Sequence, residues 1–240
     1  MALALAREGA AVIATAARGA SEIKAVAAGE PGVIAVQADV TRAEDCARVV
    51  ETAMERFGRL DVLVNNAGRG MRFVSETFMT EPTRFWETDP DIWRMVIDTN
   101  VNGPFLMSRA AVPMMRAAGW GRIINISMNH ETMRRRGFSP YGPSKAALES
   151  ETIIWARDLD GSGVTVNALL PGGATLTGMI PDSVDAAVRS RLLEPEIIVP
   201  PLLWLASVAS DAVTGMRFNA ARWPAGQDEA AAAAACGENL

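Results

Sequence analysis

Leu60-Asp61-Val62-Leu63-Val64-Asn65-Asn66-Ala67-Gly68 is an apolar run that breaks abruptly into turn chemistry. A run of this kind reads as a strand over residues 60–64 covered on both faces, because a strand with one wet face would alternate polar and apolar side chains. Outward from it the same unit recurs. Residues 11–15, 32–37, 121–127 and 164–170 are strands of similar character, and 215–219 is a final one. Helical patterns lie between them. Residues 1–8 stop at Gly9, residues 20–28 stop at Gly29, and a third helix, with Thr41 placed to cap it, carries Val49, Val50, Ala53, Met54 and Phe57 before Gly58. Further helices are expected over 91–118, 146–159 and 196–207, with loops over 69–90 and 171–195. Strand and helix in alternation imply a parallel sheet covered on both faces, since each parallel crossover needs a connecting helix. The expectation is one α/β domain over residues 1–225, doubly wound and mostly parallel, and an Ala-rich tail over 226–240 that frays or forms a loose helix.

Composition excludes several classes. The chain has 240 residues, 49% apolar and 21% charged, the balance of a folded globular protein, and its net charge of −5 offers no basic stripe for nucleic acid. No apolar run reaches the roughly 18–20 residues of a membrane span, and Arg7 and Glu8 interrupt the Ala-rich start, so a cytoplasmic protein is expected. Cys46 and Cys236 stand far apart, without metal-ligand neighbours. His130 is the only histidine, which leaves no material for a zinc site or a Ser-His-Asp triad, and no metal is expected.

The chemistry concentrates in Ser139-Pro140-Tyr141-Gly142-Pro143-Ser144-Lys145, which opens the helical run after residue 140. Prolines are tolerated in a first turn, and a spacing of four puts Tyr141 and Lys145 on one face. An ammonium one turn from a phenol favours the phenolate, so Tyr141 is expected to ionise below the reference of about 10 and to exchange protons with a substrate. A surface Tyr and a solvated Lys would show the same spacing. What argues against coincidence is the rim: Asp39, Asn66, Ala67, Gly68, Ser127 and the Pro171-Gly172 turn all follow strand ends, where ligands of open α/β sheets bind.

These motifs together resemble the short-chain dehydrogenase/reductase family over residues 1–220: Asp39-Val40, Asn65-Asn66-Ala67-Gly68, Asn100 in Asn-Val-Asn-Gly, Tyr141-x-x-x-Lys145, and Asn167 through Pro171-Gly172. The resemblance implies a Rossmann-like three-layer fold and hydride transfer between NADP or NAD and a ketone or secondary alcohol. It implies Tyr141 as proton donor or acceptor, Lys145 as its helper and a hydrogen-bond donor to the nicotinamide ribose, and Asn100 as holder of a relay water. Asp39 and Val40 would contact the adenine, Asn66, Ala67 and Gly68 the adenosine side, and the Pro171-Gly172 turn with Thr175 or Thr177 the carboxamide. It further implies a homodimer or homotetramer, paired through the helices at 107–115 and 146–159. Arg18, with no acidic residue beside it, favours NADP over NAD, although an exposed helix-cap cation would look the same.

Two departures accompany the match. The family opens with a strand and a glycine-rich turn before its first helix, whereas Met1 to Gly9 resembles that helix itself. In the family strand order 3-2-1-4-5-6-7 this leaves two parallel neighbours unpaired. The family serine lies 13 residues before the tyrosine, where Met128 stands here, and Ser127 lies 14 before it on the opposite side of an extended segment unless a bulge turns it inward. Asn129 and Thr132 are alternative donors. The resemblance therefore leaves two outcomes open, an active oxidoreductase or a catalytically silent relative that binds or assembles. Arg134-Arg135-Arg136 could draw an anionic substrate or remain a solvated charge run.

Overall fold

The computed structural model describes residues 1–240. Helices α1 (Ala2–Arg7), α2 (Ala20–Gly29), α3 (Ala43–Phe57), α4 (Pro90–Ile97), α5 (Gly103–Ala118), α6 (His130–Met133), α7 (Tyr141–Asp158), α8 (Ala186–Arg189), α9 (Val199–Leu205) and α10 (Glu229–Cys236) alternate with seven strands. The strands are β1 (Val12–Ala16), β2 (Val33–Gln37), β3 (Val62–Asn65), β4 (Gly121–Ile126), β5 (Val164–Leu170), β6 (Met216–Asn219) and β7 (Gly237–Asn239). No helix is long and apolar enough to cross a membrane.

The sheet is in two pieces. β1 and β2 form a parallel pair, with Val12 opposite Val33, while β3-β4-β5-β6-β7 form a second sheet, parallel except for β7. β1 and β3 each keep one edge without a strand partner. Between them lies a cleft of about 880 Å³ lined by Leu5, Val12 and Ile13 on one side and Val62 and Val64 on the other. The layers still hold together through two apolar cores. One face joins Val49 and Val50 of α3 and Met107, Ala111 and Met115 of α5 to Leu63, Ile123 and Val166. The other joins Leu202 and Leu205 of α9 and Ala233 and Cys236 of α10 to Ile124, Leu169 and Phe218.

Several sequence expectations change here. Thr41 does not cap α3: the cap position is Arg42, and the Thr41 hydroxyl instead donates to Asp39 Oδ1 at 2.8 Å. The carboxylate of Asp39 outcompetes the helix because it sits two residues away and also takes the Thr41 N–H at 3.0 Å. The 91–118 helix is two helices joined by a π-helical turn, Asp98–Asn102, which carries buried Asn100. The tail does not fray. Asp228 caps α10 by accepting from Ala230 and Ala231, Ala232, Ala233 and Cys236 are buried, and β7 closes the sheet edge against β6. Small alanine side chains let that helix approach closely enough to bury its backbone. Trp86, in the loop before α4, is 67% exposed.

Candidate active site

Tyr141 is the first residue of α7, and α7 lies against β4 and β5. Gly142 lets α6 lie close against the first turn of α7, because a Cβ there would collide with the Met133 carbonyl of α6. Four residues on, Lys145 is buried and its Nζ donates to the Ile126 carbonyl, at the end of β4, at 2.7 Å. The ammonium stands 5.9 Å from the centre of the Tyr141 ring and makes no hydrogen bond to its hydroxyl.

The expectation that Lys145 draws Tyr141 below its usual range is overturned. Burial pushes the phenol up to about 12, because a phenolate loses more solvation than a neutral phenol, and no neighbouring charge offsets it. Burial also pushes Lys145 down to about 8, opposed by the charge of Glu149. Both groups are thus held toward their neutral forms by the same dry environment. Such a Tyr keeps its proton at neutral pH.

Asn100 reaches this place from the π-helical turn. Its Oδ1 accepts the Arg69 N–H at 2.8 Å, and its Nδ2 donates to the Arg69 carbonyl at 3.0 Å and to Ser144 Oγ at 2.9 Å. Ser144 Oγ in turn donates to the Tyr141 carbonyl at 2.7 Å. Asn100 therefore ties the segment after β3 to the first turn of α7. Ser127 is committed elsewhere: its hydroxyl donates to Glu149 Oε1 at 2.6 Å. Met128 is buried and gives its carbonyl to Arg217. Asn129 donates to the Gly172 carbonyl at 2.6 Å, linking the segment after β4 to the turn after β5. Gly172 adopts φ +96° there, and a side chain would collide with Asn219 and Ala221. Thr132 makes no side-chain hydrogen bond, and Arg134, Arg135 and Arg136 are exposed.

The remaining rim residues are distributed as follows. Asn66 and Ala67 are exposed, Gly68 lies beside Asn100 and Met179, Val40 packs near Gly103, Pro171 is half-buried, and Thr177 accepts the Met179 N–H at 3.4 Å. Thr175 pairs with Leu193. At the other end of the rim Arg18 is exposed and Arg69 stacks on Phe73 at 4.5 Å, and neither guanidinium has a carboxylate partner. Burial and the nearby Arg18 charge hold the Arg69 guanidinium below its usual pKa, partly offset by Asp39. No cluster of three metal-ligating side chains exists.

Sequence reasoning missed Ser144, Arg69, Glu149, His130 and Arg217. The signal for Glu149 was present: Lys145, Glu149 and Thr152 recur at helical spacing on a face that must be buried against the sheet, and a buried polar stripe demands partners.

A parallel sheet flanked by helices, with a Tyr and Lys one turn apart at its carboxyl rim, defines a Rossmann-like α/β domain. Residues 1–187 match the family model described as short chain dehydrogenase, and the chain belongs to that family of oxidoreductases. It is 33% identical over 229 residues to a 3-oxoacyl-[acyl-carrier-protein] reductase of Synechocystis, covering 91% of this chain and 88% of the relative. It is 34% identical to an A-factor type gamma-butyrolactone 1'-reductase of Streptomyces virginiae, covering 88% and 84%. A granaticin polyketide synthase putative ketoacyl reductase 2 of Streptomyces violaceoruber is 35% identical, and there the alignment covers 70% of this chain and 64% of the relative. A gluconate 5-dehydrogenase from Burkholderia cenocepacia, crystallised with NADP and tartrate, superposes with a TM-score of 0.76 at 26% identity, over 90% of this chain and 85% of that one.

Proposed function

We propose that the protein is an NADP-dependent oxidoreductase acting on a ketone or the corresponding secondary alcohol, with NAD as the weaker cofactor. The observation that carries this reading is the convergence of half-buried Tyr141 and buried Lys145 on a rim whose far end presents two guanidiniums without a carboxylate partner, Arg18 and Arg69. Two neighbouring like charges, neither in a direct ion pair, fit phosphate groups, as on a phosphorylated dinucleotide.

On this reading Arg18 takes the 2′-phosphate, Asp39 and Val40 border the adenine, Asn66, Ala67 and Gly68 line the adenosine side, and the turn at Pro171-Gly172 with Thr177 borders the carboxamide. The nicotinamide, when bound, supplies or accepts the hydride. Tyr141 holds the proton that the substrate oxygen gains or loses, and its high pKa keeps that proton in place until charge develops. Lys145 donates a hydrogen bond to the ribose. Asn100 fixes the first turn of α7 through Ser144, and that role is compatible with a relay water beside Lys145. Exposed Phe105 on α5 and Ile154 on α7 support assembly into a homodimer or homotetramer through those helices, and a cytoplasmic location is part of the same proposal.

A second reading, a silent relative that binds or assembles, is favoured by one observation: Met128 stands at the serine position, and Ser127 spends its hydroxyl on Glu149. Loss of a single such donor costs on the order of 10²–10³ in rate. The experiment is NADPH oxidation against a panel of ketones that includes 3-oxoacyl thioesters, the acyl class named in a relative, with Tyr141→Phe as control. Turnover lost in Tyr141→Phe supports the enzyme. NADPH binding without turnover on any ketone selects the silent relative.

A further inference from the structure

Beneath Lys145 lies a set of buried charges that the proposed reaction does not use directly. Glu149 follows one turn later on the same face of α7 and is buried. Its Oε1 accepts from Ser127 at 2.6 Å and stands 3.3 Å from Arg217 Nε, and its Oε2 stands 2.8 Å from His130 Nε2. Lys145 meanwhile holds the carbonyl of Ile126, the residue before Ser127. Both side chains thus grip consecutive residues where β4 ends.

The network reaches the end of the chain. Arg217 Nη1 stands 2.6 Å from Glu238 Oε1 of β7, and Arg217 Nη2 donates to the Met128 carbonyl at 2.8 Å. Arg217 Nη1 also lies 3.2 Å from His130 Nδ1. A guanidinium only donates, so Nδ1 must accept and Nε2–H must donate to Glu149. That tautomer is the neutral imidazole. The set then balances, two carboxylates against Lys145 and Arg217, and each of the polar atoms on Glu149 faces a donor.

We propose that Glu149 is a positioning residue for the Tyr141 and Lys145 site: it keeps Lys145 charged in a dry environment and seats the end of β4, and Arg217 anchors it to β6 and β7. The inference rests on the oxidoreductase reading for its consequence but not for its test. The groups facing Lys145 are the Tyr141 ring and the Ile126 carbonyl, with Glu149 one turn further along the same face of α7. Those facing Glu149 are Ser127 from the end of β4, His130 from α6 and Arg217 from β6, with Glu238 of β7 and exposed Arg222 behind Arg217. Glu149 makes no direct ion pair with the ammonium, but from one turn along α7 its charge is the one that opposes the effect of burial on Lys145. Removing its charge leaves two buried cations without their shared counter-ion, and the ammonium then loses its proton more easily.

Lys24 and Lys145 are the only lysines of the chain, so protein carrying ¹³C-lysine gives two side-chain signals, with exposed Lys24 as an internal reference. The Lys145 signal is expected to titrate at about 8 in the unaltered protein. In Glu149→Gln its midpoint falls by on the order of one pH unit, while Lys24 does not move. Ser127→Ala, which removes a hydrogen bond and no charge, leaves it in place. Arg217→Gln, which strips the carboxylate of its cation, moves it upward and serves if Glu149→Gln does not fold. A Lys145 midpoint unchanged in folded Glu149→Gln, or unmoved or lowered in Arg217→Gln, overturns the proposal. In turnover the alkaline limb of kcat shifts to lower pH in Glu149→Gln by the same amount. Failure of the enzyme reading is seen separately, as NADPH binding without turnover on any ketone while the lysine titrations behave as stated.

Discussion

Asn100 grips the backbone of Arg69 on both sides, accepting its N–H at 2.8 Å and donating to its carbonyl at 3.0 Å. One side-chain amide thereby stands in for the strand partner that the segment after β3 lacks, and its third bond, to Ser144, carries that order into α7. Asn100→Ala leaves two partly buried backbone groups without partners and takes from Ser144 Oγ the donor it accepts from, and is expected to cost about 2–4 kcal/mol. Asn100→Asp is isosteric but replaces the donor with an acceptor facing the Arg69 carbonyl, so it should be at least as damaging above the pKa of the new carboxylate. Denaturant unfolding of both variants checks this, and equal stability of Asn100→Asp and the parent would contradict the bonding described.

Tyr141 is the only tyrosine, so its ionisation can be followed directly by ultraviolet difference absorbance. The midpoint is expected near 12, set by burial. Because the ammonium faces the ring and no bond joins it to the hydroxyl, Lys145→Met should leave that midpoint within a few tenths of a pH unit. A midpoint below 10 that rises in Lys145→Met would restore the simple tyrosine and lysine couple that sequence spacing suggests.

Glu151 on α7 has a buried Oε2 without a partner, and burial pushes its carboxyl from 4.5 up to about 7. A folded-state pKa raised above the unfolded value means that the folded protein binds the extra proton, so stability is fully present below about pH 4.5 and declines as pH rises toward 7. After allowance for the solvent that still reaches this group, the loss is on the order of 1 kcal/mol, a few degrees in Tm. Glu151→Gln should match the parent near pH 4.5 and melt higher at pH 8. Parallel melting curves across that range would show that the carboxyl is solvated.

Gly172 holds φ +96° with Asn219 and Ala221 pressed against the space where a side chain would stand. Gly172→Ala is expected to displace the turn, break the Asn129 contact to its carbonyl and lower affinity for NADPH at least tenfold. Gly178→Ala, where a Cβ meets nothing within 4 Å, is the matched control and should bind normally. Titration calorimetry distinguishes the two.

The sheet was legible because buried parallel strands announce themselves as apolar runs, as at Val62 to Val64 and Ala168 to Leu170. Tyr141, Lys145 and Asn100 were legible by spacing and motif. What spacing could not convey was solvation: four residues between a phenol and an amine say that they are close, not that both are dry, and dryness reversed the expected sign at Tyr141. Ser127 was unreadable for a similar reason. Its hydroxyl goes to Glu149, 22 residues away, and only the packing of α7 on β4 decides that. The tail was legible only as a choice between fraying and a loose helix, because runs of alanine look featureless, and the helix that forms is capped by Asp228 and docked through Cys236.

The divided sheet has a consequence for how the molecule opens. Only Val33 and Ala38 are buried among the first forty residues, and β1 and β2 hydrogen-bond to each other but to no other strand. Amides of that pair should therefore exchange with deuterium through a local opening, while those of β4 and β5, paired on both sides, exchange only when the whole molecule unfolds. Arg18 and Asp39 ride on the part that opens early, whereas Tyr141 and Lys145 stand on the part that does not. The two ends of the proposed nucleotide site thus belong to different cooperative units, and a ligand that spans them would weld the units into one.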